Sequence, residues 1–163
     1  MPAVNPIPEG YPQVTPYLIV KGAAAAIDFY GSVLGTTERM RMPGPGDTIG
    51  HCELQLGDSI VMLSDEYPEM DIFGPKTIGG SPVIISVYVD EVDAVFDRAL
   101  QQGATSLRPV ETQFYGDRSG QFEDPFGHRW SIASHVEDVS AEEMERRAAE
   151  AAQEGAGAGG AGG

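Results

Sequence analysis

Residues 50–66, "GHCELQLGDSIVMLSDE", read as two strands joined by a tight turn at "GDS". In "HCELQL" the apolar Cys52, Leu54 and Leu56 alternate with His51, Glu53 and Gln55. Successive strand side chains point to opposite faces, so one face is apolar and the other polar. In the next strand Val61 and Leu63 oppose Ile60, Met62 and Ser64. His51 and Glu53 share a face, about 7 Å apart by the strand rise. They are either part of a metal site or the polar lining of a pocket.

Working outward, "VTPYLIVKG" precedes as a strand and "AAAAIDFYGSVLG" as a helix with Gly35 as its C-cap, followed by the strand "TTERMRM". After a loop at 67–81 the same order returns. "PVIISVYVD" is a strand and "EVDAVFDRALQQG" a helix; "TSLRPVETQ", "GQFED" and "HRWSIAS" are three more strands. A strand–helix–three-strand unit repeated at about 70 residues implies pseudo-twofold symmetry. The reading divides the chain into a Pro-rich arm (1–12), a first βαβββ module (13–66), a connecting loop (67–81) and a second module (82–136). A C-terminal acidic helix (137–154) follows, with Ser140 and Glu143 as a capping box, then a disordered Gly/Ala tail (155–163).

The faces of the other strands split in the same way. Leu18 and Val20 share a face with Val14; Tyr17 and Ile19 share the other with Thr15. Val83, Ile85, Val87 and Val89 oppose Ile84, Ser86 and Tyr88, and Trp130 and Ile132 oppose Arg129 and Ser131. The two amphipathic helices are the available cover for the apolar face. The other face mixes aromatics, methionine, hydroxyls and a few charges. That suits a concave ligand pocket, although a half-wet face or a subunit interface has similar chemistry.

The 163 residues carry a net charge of −15. Nucleic acid and anionic membranes are excluded as partners by that balance, because both need clustered Lys and Arg. A cationic ligand is attracted. One cysteine, Cys52, gives no intramolecular disulfide, and the N-terminus lacks a signal-peptide pattern, which points to the cytoplasm. No Gly-rich phosphate loop or G-x-S-x-G elbow is present.

"TPYLIVKGAAAAIDFYGSVLG", the hairpin at 50–66, "SVYVDEVDAVFDRALQQGA" and "YGDRSGQFEDPFGHRWSIASH" together resemble the glyoxalase/bleomycin-resistance/extradiol dioxygenase (vicinal oxygen chelate) superfamily, in its PhnB-like branch. The resemblance spans about residues 13–136. It implies an α+β fold of two βαβββ modules forming a cupped mixed sheet, glyoxalase-like, and a homodimer. It also implies four metal-ligand positions, which here hold Thr15, Met62, Ile84 and Ser131. None of these is an imidazole or a carboxylate, so no cofactor or metal is expected. A displaced divalent metal site is the alternative. It would use His51 and Glu53 with a third ligand from Tyr17, Gln121 or Glu123.

The expected site is therefore a small-molecule pocket lined by Tyr17, His51, Glu53, Met62, Tyr88, Arg118, Arg129 and Ser131. His51 and Glu53 are the candidate proton carriers if the site is catalytic. Arg118 either anchors an anionic group or holds a pocket lip. "EDPFG" reads as a structural turn, and Cys52 as an inert core thiol.

Overall fold

A computed structural model describes residues 1–158. The first module contains β1 (Tyr17–Val20), α1 (Ala23–Leu34), β2 (Thr37–Pro43), β3 (Ile49–Leu56) and β4 (Ser59–Asp65). The connecting segment holds a 3-10 turn at Pro68–Met70 and the short helix α2 (Pro75–Ile78). The second module contains β5 (Ile84–Tyr88), α3 (Val92–Gln101), β6 (Thr105–Thr112), β7 (Asp117–Glu123) and β8 (Arg129–His135). The last element is α4 (Ala141–Ala158).

Each module is a four-stranded sheet, in the orders β1-β4-β3-β2 and β5-β8-β7-β6. In each, the first strand runs parallel to the last, and the other pairs are antiparallel. The helix between the first two strands makes that parallel return possible, since a parallel pair needs a crossover. Ser86 stands 69 residues after Tyr17, and their respective partners, Ser131 and Met62, are also 69 residues apart. The repeat read from sequence is thus a structural repeat.

The apolar faces form the core. Leu18, Val20, Cys52, Leu54, Val61, Leu63, Phe122, Trp130 and Ile132 are buried. Helices α1 and α3 pack against each other, α1 over β3 and β4, and α3 over β6, β7 and β8. Gly35 ends α1 at φ 73°, where its N–H reaches back to the Gly31 carbonyl. A residue with a Cβ is strained there.

A buried aspartate joins the modules. Asp124 accepts hydrogen bonds from the Tyr30 hydroxyl (2.5 Å), the Trp130 indole N–H (2.9 Å) and the backbone N–H groups of Phe126 and His128 (2.9 Å each). Burial, followed by the adjacent Asp124 charge, pushes the Tyr30 phenol well above its ordinary pKa. Phe29 adds edge contacts to Phe122 and Phe126. His128 donates through Nε2 to the Ile19 carbonyl (2.9 Å) and so bridges the modules.

Several local expectations shift. The first strand is shorter than its pattern, because Pro16 has no N–H for a ladder, and Val14 is exposed instead of buried. Around β5, Val83 is exposed, and Ile85, Val87 and Val89 are only half-buried. β5 is an edge strand, and Ile85 and Val87 pack only partly against the core. Ser140 does cap α4, accepting the Glu143 N–H at 3.2 Å. The helix runs on through Gly155 to Ala158. Alanine, the strongest helix former, carries it past the point where the tail was expected to begin. The rest of that expected tail, 159–163, lies outside the described residues.

Candidate functional site

The strand register assembles one row of side chains across each exposed sheet face. In the first module the row is Tyr17, Met62, Glu53 and Met40. In the second it is Ser86, Ser131, Gln121 and Arg108.

His51 and Glu53 come together as the alternation requires, and they form the centre of a chain of four side chains. The Tyr17 hydroxyl donates to His51 Nδ1 at 2.8 Å. His51 Nε2 lies 3.3 Å from Glu53 Oε1, and the Tyr11 hydroxyl donates to Glu53 Oε2 at 2.8 Å. A carboxylate can only accept, so His51 carries its proton on Nε2, and its Nδ1 accepts from Tyr17. Glu53 is only 4% exposed. Burial pushes its carboxyl pKa up, but the hydrogen bonds from Tyr11 and His51 outweigh this and leave it below the usual range. The Arg39 guanidinium sits 4.7 Å above the Tyr11 ring. Tyr11 was missed in the sequence because it stands in a proline-rich arm with no periodicity.

Tyr17 also forms part of the wall of a cavity of about 810 Å³. Ile19, Ile49 and Ser64 of the sheet and Tyr67, Met70 and Phe73 of the connecting segment line it with Tyr17. That size suits a drug-sized molecule. Three acids stand at its wall, Asp65, Glu66 and Asp71, and the first two are already engaged. Asp65 caps the start of α1 through Gly22 and Ala23 and also accepts from Ile49. Glu66 holds the connecting segment through the Gly74 N–H and the Thr77 hydroxyl. The cavity offers a ligand apolar surface, the Asp71 carboxylate and the ring of Tyr17, whose hydroxyl is bonded to the imidazole–carboxylate pair. Such a chain can orient a hydrogen bond or relay a proton.

The second-module residues are dispersed. Ser131 and Gln121 line a separate cavity of about 250 Å³ with Arg108 and Glu111. Arg129 is not part of its lining and approaches Glu123 at 3.4 Å. The Tyr88 hydroxyl donates to Asp117 (2.7 Å), which also accepts from His135 Nδ1 (2.8 Å), while His135 Nε2 donates to Asp138 (2.8 Å). Hydrogen bonds to these two carboxylates raise the His135 pKa. Arg118 sits on the helix side of β7, its guanidinium forked on Asp93 of α3 at 2.8 Å through both nitrogens. It is therefore committed to the helix layer, away from the pocket face.

The four metal-ligand positions do not fit a divalent ion. The partner of Met62 on β1 is Tyr17 and the partner of Ser131 on β5 is Ser86, so Thr15 precedes the strand and Ile84 faces Arg129. Either choice offers hydroxyls, a thioether or an alkyl group, with no imidazole or carboxylate. Among the described residues no three His, Cys, Asp or Glu side chains are grouped to hold a metal. Of the third ligands considered, Tyr17 is bonded to His51, while Gln121 and Glu123 lie on β7 of the second module.

The sequence profile of the Glyoxalase/Bleomycin resistance protein/Dioxygenase superfamily matches residues 10–132. The chain belongs to this superfamily. It is 42% identical over 137 residues to an uncharacterized protein of Mycobacterium bovis, covering 82% of this chain and 90% of that one. Among solved structures it is similar to TioX from Micromonospora sp. ML1, with 27% identity, a TM-score of 0.60, and 77% and 99% of the two chains covered. A PhnB protein from Bacillus cereus shares the fold, with 21% identity, a TM-score of 0.60, and 76% and 99% covered. The paired βαβββ sheets are thus the glyoxalase fold, which the PhnB protein shares.

Proposed function

We propose that this superfamily member binds a small organic ligand on the cupped face of its first module without a metal, cationic ligands being favoured. The carrying observation is the apolar cavity that meets the Tyr17–His51–Glu53 chain at Tyr17, the strand partner of Met62. The net charge of −15 supports a cationic guest. The protein acts in the cytoplasm as a homodimer, a second copy covering the exposed Ile84 and Tyr88 of edge strand β5 and the adjoining Val83. No helix among the described residues is long and apolar enough to cross a membrane.

A thermal-shift and native mass spectrometry screen with cationic glycopeptides and small metabolites tests this. A ligand present at about 100 times its Kd adds roughly 2.7 kcal/mol of stability. Stoichiometric zinc, nickel, manganese or iron in untagged protein, lost on His51→Ala, would replace this reading with a metal-dependent one. Light scattering that gives a monomer at micromolar concentration would remove the dimer.

A further inference from the structure

Residues 1–16 form no helix or strand, and all but Tyr11, Thr15 and Pro16 are exposed. Their backbone bonds are few: Tyr11 N–H to the Pro8 carbonyl within the arm, and the Met62 N–H to the Pro16 carbonyl next to β1. The side chain that ties the arm to the sheet is Tyr11. Its hydroxyl is bonded to Glu53 Oε2, and its ring lies under the Arg39 guanidinium. Among the described residues Oε1 of Glu53 is engaged by His51, and Oε2 by Tyr11. With Tyr11 withdrawn, a buried carboxylate oxygen would lack a donor, and a buried acceptor must find one from water or a ligand.

We propose that Tyr11 is an in-chain occupant of a binding position for an aromatic hydroxyl, and that ligands carrying such a group reach Glu53 by displacing the N-terminal arm. This rests on reading the cupped face as an organic-ligand site and adds the ligand class and its gate. Three observations specify the class. The carboxylate accepts one donor at Oε2, a guanidinium offers its face to a flat π-system, and the position already holds a phenol ring. The arm is suited to release because, among the described residues, Tyr11 makes its one side-chain hydrogen bond to the sheet. The chain Tyr11–Glu53–His51–Tyr17 then links the arm to the wall of the large cavity. A ligand bound to Glu53 sits one imidazole away from the cavity wall. The observed affinity for any such ligand is reduced by the fraction of molecules whose arm is closed.

The test uses the full chain and 4-methylphenol, the tyrosine side chain itself, with 4-methylanisole as the probe lacking a donor. NMR titration of Tyr11→Ala is expected to show one 4-methylphenol site, at least about tenfold tighter than in the wild type, as an arm closed nine parts in ten requires. 4-Methylanisole should bind neither protein at that site, and Glu53→Leu in the Tyr11→Ala background should abolish 4-methylphenol binding. Equal 4-methylphenol affinity in wild type and Tyr11→Ala, or equal binding of the two probes, overturns the proposal. Limited proteolysis reads the latch with no ligand present. Tyr11→Phe should be cut ahead of residue 17 several-fold faster than wild type, and an unchanged rate overturns the latch. A failed cationic-ligand screen beside a positive Tyr11→Ala titration would sink the proposed function and keep this inference. A screening ligand whose affinity is the same in Tyr11→Ala would do the reverse.

Discussion

The two modules follow the same path 69 residues apart, yet they present opposite chemistries on their exposed faces. The first shows Tyr17, Met62, Glu53 and Met40 in one row; the second shows Ser86, Ser131, Gln121 and Arg108. Their hairpin turns differ as well. In the first, Gln55 donates to the Gly57 and Ser59 carbonyls at the surface. In the second, Asp124 accepts from Phe126 and His128 and is driven 2% exposed into the core against Tyr30 and Trp130. A duplicated backbone fixes where side chains stand. Which face binds and which turn locks the modules together is set by single substitutions on that shared frame.

The turn comparison predicts the largest difference. Asp124→Ala strands a phenol, an indole N–H and two backbone donors, and should cost about 3–5 kcal/mol in urea unfolding. Gln55→Ala should cost less than about 1 kcal/mol, because water replaces an exposed amide. Equal losses would break the contrast between a locking turn and a surface one.

Next comes the covered strand against the uncovered edge. Leu63, fully buried on β4, should lose about 2–5 kcal/mol on truncation to alanine. Val87 of β5 is half-buried, and its truncation should lose about 1 kcal/mol. If a second copy covers β5, the loss on truncating exposed Ile84 to alanine grows with protein concentration, which sharpens the comparison.

The ionisable clusters should respond to pH in opposite directions. The folded Glu53 carboxyl is depressed below its usual 4.5, so its contribution is present above that value and is lost as pH falls through the folded pKa. The stability gap between wild type and Glu53→Gln should therefore narrow on acidification. His135 is raised above 6.5 by its bonds to Asp117 and Asp138. Its contribution is present below 6.5 and is lost as pH rises through the raised value, so the gap to His135→Gln should narrow on alkalinisation. Gaps that move the same way would contradict the two networks.

The smallest effect concerns Cys52. It is fully buried, and burial pushes its thiol up to about 11. A disulfide reagent at pH 8 should leave the folded protein unmodified and label it stoichiometrically in denaturant.

The repeat, both long helices of the modules and the core face were legible, because burial imposes a period on the sequence. Cys52, Leu54, Val61 and Leu63 alternate as a covered sheet demands, and His51 and Glu53 fall together by the same rule. The turn role of "EDPFG" was readable too, since Gly127 does adopt φ 94°. Pairings across elements were not readable. Arg118 reaching Asp93, Tyr30 reaching Asp124 and Tyr11 reaching Glu53 join residues 25, 94 and 42 positions apart. No local period records them.

By itself the sequence determined two strand–helix–three-strand units, their buried faces, and a first-module face that holds an imidazole and a carboxylate but no set of metal ligands. Periodicity and side-chain chemistry are local, so a linear string carries them. Tertiary structure decided that edge strand β5 is only half covered, that Asp124 stitches the modules, and that a tyrosine from a patternless arm satisfies Glu53. These are choices among partners distant in the chain, and they are settled by which buried polar groups find donors once the layers close.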